Sequence, residues 1–328
     1  VVCSYPRSAD DAEQSASQLL ESLDVKASDA PSDPGWHAAT LVDSADISAV
    51  DDRIPAVAGE ERLTGGAATI QNQLTDPVTA FIGGRLGVRV LDEQATGLPP
   101  LVRGNLVHDA LYQLYLDLPT RDELAAWTDV PERISKAVDF AFARHERQTD
   151  DVLRRLLALE RERVAGLLQE FLAVDLERAG FSVIAVERKL ELAEAGVRIE
   201  LRIDRVDRLP GGGLVIIDYK TGAEKLFLDS KGSPREMQLI AYACAIAEPI
   251  VALALANVDS RVVGFRGAGE GFSEIGNWDE FLANWSGVVR DACRDIARGD
   301  VSINKRQSIE EARSLNLLTR FTELRNDW

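Results

Sequence analysis

Residues 197–222 read VRIELRIDRVDRLPGGGLVIIDYKTG, and the fold is decided by these two runs and the turn between them. In the first run Val197, Ile199, Leu201 and Ile203 alternate with Arg198, Glu200, Arg202 and Asp204, the period of a half-buried strand. Asp204 is then expected to point away from the apolar row. Pro210, Gly211, Gly212 and Gly213 predict a tight reversal. The second run, Leu214 to Ile217, is short and apolar at every position, which predicts a strand covered on both faces. Asp218 and Lys220 follow two apart, on one side of that strand.

A carboxylate at the end of an apolar strand is costly to desolvate unless a cation meets it, and one lysine beside two carboxylates leaves negative charge over. A divalent cation would complete the balance, since Mg²⁺ takes carboxylate oxygens together with waters and phosphate oxygens. Lys220 would then position or help deprotonate an attacking water, or stabilise charge on a phosphate. An isolated D-x-K is equally the pattern of a structural ion pair at a hairpin end, so the companion residues decide.

Those companions produce a family resemblance. I-D-R-V-D at 203–207, a Gly-rich turn, and D-Y-K-T-G at 218–222 resemble the PD-(D/E)XK nuclease superfamily in its RecB/AddB-like branch. Upstream, RGNLVHDALYQLY matches that branch's G-x-x-x-H helix through Gly104 and His108; downstream, PREMQLIAYA matches its Q-L-x-x-Y helix through Gln238 and Tyr242. The motifs stand in the family's order over roughly 68–328. The resemblance implies a restriction-endonuclease-like α/β core, with a mixed central sheet flanked by helices and a large helical insertion. It implies a Mg²⁺- or Mn²⁺-dependent deoxyribonuclease, expected to act as an exonuclease in DNA repair, recombination or end processing. His108, Asp204, Asp218 and the backbone carbonyl of Tyr219 would hold the metal, with Lys220 beside it. Gln238, Tyr242 and Arg205 would orient the DNA. Two alternatives stay open: a catalytically silent DNA-binding or scaffold module of a helicase–nuclease complex, and a nuclease of the CRISPR adaptation type.

Composition narrows the setting. The chain has 328 residues, 45% hydrophobic and 28% charged, enough for a substantial core. Its net charge of -17 excludes a generally DNA-coating surface, so contacts with DNA must be local. Candidate basic clusters are Arg144, Arg147, Arg154, Arg155, Arg161 and Arg163 on a helical stretch, and Arg198, Arg202, Arg205 and Arg208 beside the acidic residues. The helical set also fits a solvated face with i to i+4 pairs. Cys3, Cys244 and Cys293 form neither a disulfide framework nor a zinc pattern. Together with the lack of a signal-peptide pattern or an apolar membrane span, this suits the cytoplasm.

Residues 1–66 differ from the rest. Val1 to Leu20 resembles the end of a helicase-like region, and 24–66, rich in Ala, Ser, Asp, Pro and Gly, reads as a linker. The expectation is a C-terminal part of a longer protein or a shortened relative, with a possible helicase partner. There is no G-x-x-x-x-G-K-[ST] loop in the sequence. The nuclease-like part then covers 67–328. Many relatives hold an iron-sulfur cluster through a Cys before the Pro equivalent to Pro77 and three more near the C-terminus. Here Thr75 and Asp76 precede Pro77, and SLNLLTRFTELRNDW has no cysteine, so no cluster is expected. Leu315, Leu317, Leu318, Phe321 and Leu324 would tie the terminus down instead.

Within 67–328 the helical part is expected over about 104–181. A helix from Gly104 to about Leu118 would bury Val107, Leu111, Leu114, Tyr115 and Leu118. Pro119-Thr120 and Pro131 mark helix starts, and Val152 to Arg178 repeats at helical spacing. The catalytic core is expected over about 182–268. FSVIAVERKLEL predicts a strand whose Glu187 either supports the site or sits on an ordinary surface. Ser233, Pro234 and Glu236 predict a capped helix start ahead of Gln238. VALALANV and RVVGFRG predict paired strands, and C-terminal helices occupy 277–328.

Overall fold

The computed structural model describes residues 8–9, 12–13, 54–57, 61–88, 97–143, 151–273 and 275–301. The chain divides into two compact units, Val1–Asp52 and Arg53–Trp328. In the first, β1 (Ser8–Ala9) and β2 (Ala12–Glu13) form an antiparallel pair. The linker expected from 24 lies outside the described residues as far as Arg53, as do Cys3, Arg144, Arg147 and the apolar C-terminal residues from Leu315 to Leu324.

The second unit begins with β3 (Arg62–Leu63), α1 (Ala67–Thr75) and the short α2 (Pro77–Thr79). A helical stretch follows: α3 (Pro100–Leu114), α4 (Arg121–Ala125), α5 (Val130–Phe142) and α6 (Asp151–Leu176). Then come β4 (Ser182–Glu194), β5 (Val197–Arg208), β6 (Leu214–Lys220), α7 (Gln238–Cys244), β7 (Ile250–Asp259), β8 (Val262–Gly269) and α8 (Trp278–Arg298). The mixed sheet flanked by helices has the architecture of a restriction-endonuclease-like core.

The sheet positions the site through one strand. β4 pairs with β5 along nearly its whole length, so β3 and β6 must share the other edge of β5. β3 runs parallel against Arg198 and Ile199, and β6 antiparallel against Arg205 to Arg208. Between them, residues 200–204 of β5 lack a strand partner on that edge, which leaves an opening in the sheet. β6 continues in parallel to β7, whose antiparallel neighbour is β8. The turn after β5 needs its glycines: Gly212 has φ 90°, and a Cβ on Gly213 would lie 2.3 Å from Val251 Cγ1.

Each face of the sheet carries a core. Val215, Ile217 and Tyr219 pack toward Leu111, Tyr115, Leu168 and Phe171 of α3 and α6. Leu214, Ile216, Ile199, Leu201 and Ile203 pack toward Ile70, Ile240, Val289 and Cys293 of α1, α7 and α8. The continuous apolar run in β6 follows from this two-sided burial.

Two local expectations are corrected. The helix begun at Pro100 ends at Leu114: a turn closed by Leu118 N–H on Tyr115 O leads the chain out, and Leu118, 40% exposed with φ 52°, hands on to Pro119, whose carbonyl accepts from Val183 N–H of β4. Ser233 does not cap a helix. Asp229 Oδ1 accepts from the backbone N–H groups of Lys231 and Ser233, Leu228 bridges to Pro234, and α7 starts only at Gln238. The polar turn at Asp229 competes for the chain and holds it extended. The start at Thr120 matches its expectation, with a reciprocal capping box to Glu123.

Candidate active site

The opening beside β5 leads into a cleft of about 1830 Å³ lined by His108, Glu187, Asp204, Asp218, Lys220, Gln238 and Tyr242, among others. α3 delivers His108 because Gly104, one turn earlier, lies against the chain leaving β6. A Cβ on Gly104 would stand 2.8 Å from Thr221 Oγ1, so the G-x-x-x-H spacing is a close-packing requirement. His108 Nδ1 lies 3.5 Å from Asp204 Oδ2, and the same oxygen accepts a 2.7 Å bond from the Tyr219 N–H. Donor atoms of His108, Glu187 and Asp204 all lie within 4.8 Å of one another.

Beside this trio the end of β6 forms a hydrogen-bonded row. Lys220 Nζ donates to Gln238 Oε1 at 2.8 Å, and Gln238 Nε2 donates to Tyr242 Oη at 2.6 Å. The ammonium stands 2.9 Å from Asp218 Oδ2 and 3.3 Å from Glu236 Oε2. Asp218 Oδ2 is buried, and the ammonium meets it as an ion pair.

The electrostatics follow from burial and crowding of like charge. Burial, then the charge of Asp204, push Asp218 up to about 7 despite Lys220. Burial raises Glu187, with Arg202 opposing and Asp204 adding to the rise. Burial alone would lower His108, but its hydrogen bond to Asp204 and the charges of Asp204, Asp218 and Glu187 outweigh it. Lys220 is likewise held above its ordinary value, burial being outweighed by Asp218 and Glu236. The carboxylates repel one another as they stand, Asp204 raising both Asp218 and Glu187. Crowded carboxylate oxygens with one imidazole fit a divalent cation such as Mg²⁺ or Mn²⁺.

A family model of the PD-(D/E)XK nuclease superfamily matches residues 77–308, well over half the chain. The chain belongs to the PD-(D/E)XK nuclease superfamily. A solved structure described as "Crystal structure of SSO0001" is similar at 13% identity and a TM-score of 0.27, over 76% of this chain and 93% of that one. That likeness is too distant to bear on the argument. No curated protein matches the sequence.

As a PD-(D/E)XK protein, the chain brings six of the expected side chains together: His108, Asp204, Asp218, Lys220, Gln238 and Tyr242 line one cleft. Tyr219 joins them through its backbone N–H.

Arg205 does not join them, and its expected role in orienting DNA is corrected. Its side chain is fully buried on the α3–α6 side, bidentate to Asp207 at 2.6 and 2.9 Å and bonded to Asp175 at 2.8 Å. Arg178 bridges the same two carboxylates, and Tyr115 Oη donates to Asp175 at 2.7 Å. Two arginines against two aspartates balance the charge, and the two acids hold Arg205 well above its ordinary value despite burial.

Burial of Arg205 traces to a change of face in β5. Ile203 packs with α1 and α7, whereas Arg205 turns to the other core, so strict alternation stops at Asp204. Facing this point in the β4–β5 ladder, Glu187 has φ 47°. Such backbone is uncommon for a non-glycine residue in a strand and recurs at functional sites. Glu187 is therefore closer to the site than its sequence context indicated, a donor beside His108 and Asp204. Its sequence signal was only an acidic residue within a strand.

Asp76, just before Pro77, caps α2, accepting from Thr79 N at 3.2 Å and Thr79 Oγ1 at 2.6 Å. Of the basic clusters, Arg198 and Arg202 face Glu191 and Glu187, Arg208 faces Glu248, and Arg154, Arg161 and Arg163 pair with Asp151, Asp139 and Glu160. Among the described residues, no helix is long and apolar enough to cross a membrane.

Proposed function

We propose that this superfamily member is a deoxyribonuclease of the RecB/AddB-like type, without an iron-sulfur cluster, acting as an exonuclease on DNA ends in cytoplasmic repair or recombination, with a helicase as its partner. The observation that carries the reading is the crowding of buried Asp218 beside Asp204, two acids that the Lys220 ammonium, 2.9 Å from Asp218, does not fully offset. His108, Asp204, Asp218 and the Tyr219 carbonyl would hold Mg²⁺ or Mn²⁺, and the position of Glu187 supports adding it to the set. The bound cation would supply Lewis-acid stabilisation of charge on the scissile phosphate and acidify water.

The chain's own residues account for the rest. Lys220 is held by Gln238, whose amide is oriented by Tyr242, so its ammonium is fixed where it can orient a water or hold developing charge. Tyr219 N–H and His108 hold Asp204 Oδ2 from two sides, which fixes that carboxylate before any ligand arrives.

A silent scaffold has no use for buried, mutually repelling acids, and this weighs against that alternative. The test is cleavage of end-labelled single- and double-stranded DNA with Mg²⁺, Mn²⁺ or EDTA, using wild type, Asp218→Asn and Lys220→Ala. Metal-dependent cutting, lost in both variants, is expected, and product lengths separate exonuclease from endonuclease action. A folded wild type that binds DNA without cutting it would turn the assignment toward the scaffold.

A further inference from the structure

The cleft walls carry a selective arrangement of positive charge. Arg62, Lys189, Arg202, Lys220 and Arg235 all line the cleft. Three of them face carboxylates: Arg202 stands 2.9 Å from Glu187, Lys220 lies between Asp218 and Glu236, and Arg62 is 4.0 Å from Glu191. Lys189 and Arg235 are exposed, and neither has a carboxylate within ion-pair distance among the described residues. Arg235 spends one donor, Nε to Leu228 O at 3.3 Å, and keeps its terminal nitrogens.

Their places in the fold link both to the acids. Lys189 sits on β4 opposite Arg202 of β5, the strand that carries Asp204. Arg235 precedes Glu236, whose carboxylate meets Lys220 beyond Asp218. Lys189 therefore lines the cleft from the strand pair that carries Asp204, and Arg235 lines it from the segment whose Glu236 meets Lys220. We propose that Lys189 and Arg235 bind the phosphates on either side of the one that is cut, on a single nucleic-acid strand. The proposal rests on the nuclease reading above and adds to it the residues that seat the substrate.

The physical reason is selection among cations. A phosphate that recruits Arg202 or Lys220 must compete with a carboxylate already at ion-pair distance, whereas Lys189 has none there among the described residues and Arg235 feels Asp229 only from further off. On a chain of net charge -17, which repels a polyanion at long range, such cations at the site carry disproportionate weight in binding.

The test separates seating from cutting. A fluorescein-labelled single-stranded oligonucleotide is titrated with Asp218→Asn protein, alone and combined with Lys189→Ala and Arg235→Ala, over a range of salt concentrations. Each phosphate contact on a single strand contributes about 0.7 to the slope of log K against log salt, so losing both flattens the slope by about 1.4. In the active background KM should rise by a larger factor than kcat falls. Arg261→Ala, which removes an exposed charge outside the cleft, controls for net charge and should leave the slope where it was. Oligonucleotide binding with an unchanged slope in the double variant overturns the proposal and leaves the nuclease reading standing. No binding to the parent protein, with or without Mg²⁺, overturns the nuclease reading first.

Discussion

Asp218 should cost the metal-free protein stability, and replacing it by asparagine should return that stability in a pH-dependent way. Its carboxyl is pushed from 3.8 up to about 7 by burial and by Asp204, and its side chain is only 3% exposed, so solvent does little to screen the effect. A raised folded-state value means that Asp218 contributes stability fully present below 3.8, which is lost as pH rises through about 7. At roughly 1.4 kcal/mol per unit, the full penalty above that range is ~4 kcal/mol. Asparagine resembles the neutral carboxyl in shape and carries no penalty.

The assay is urea denaturation in EDTA. The stability gap between Asp218→Asn and wild type should widen in the variant's favour by ~2–3 kcal/mol between about pH 5 and about pH 8. Taking the change in the gap removes any fixed cost of the substitution. Added Mg²⁺ or Mn²⁺ should then stabilise the wild type more than the variant, because a ligand bound only by the folded state shifts the equilibrium toward it. A gap that stays constant or narrows toward high pH would refute the claim that Lys220 leaves Asp218 under-compensated in the metal-free protein.

Three further outcomes are expected. Arg205→Ala should destabilise the fold by about 3–5 kcal/mol in chemical denaturation, since it strands Asp175 and Asp207 in the interior, and Arg205→Lys should not restore the bidentate pairing. Gly104→Val should push α3 away from Thr221 and weaken Mn²⁺ binding measured by calorimetry, with a smaller effect on melting temperature than Arg205→Ala. Glu187→Gln should weaken the same metal affinity by about 10–100-fold while leaving the fold intact in far-ultraviolet circular dichroism, because it removes one charged donor from beside His108 and Asp204.

What the sequence disclosed and what it withheld divide along a physical line. The apolar run of β6 and the alternation in β5 announce their strands because burial of each face is a local, periodic demand. The four motifs reached the same cleft because each marks a close approach: Gly104 against Thr221, Asp204 against the Tyr219 N–H, Lys220 against Gln238, and Gln238 against Tyr242. Arg205 was misjudged because its environment is built from distant positions. Asp175 and Tyr115 lie far away in the chain, on α6 and α3, and the change of face at Asp204 that turns Arg205 toward them leaves no mark in a pattern of alternating residues. Glu187 was underrated for the same reason, since its left-handed backbone depends on the strand opposite. The distortion that hides Arg205 also brings Glu187 to the acids, so a single local departure from ideal pairing separates the structural arginine of I-D-R-V-D from the aspartate that precedes it. The motif then has two jobs split across the sheet. Asp204 faces the cleft, held by the Tyr219 N–H and His108, while Arg205 and Asp207 pair with Asp175 and Arg178 and so tie the same strand to α6 and the chain just after it.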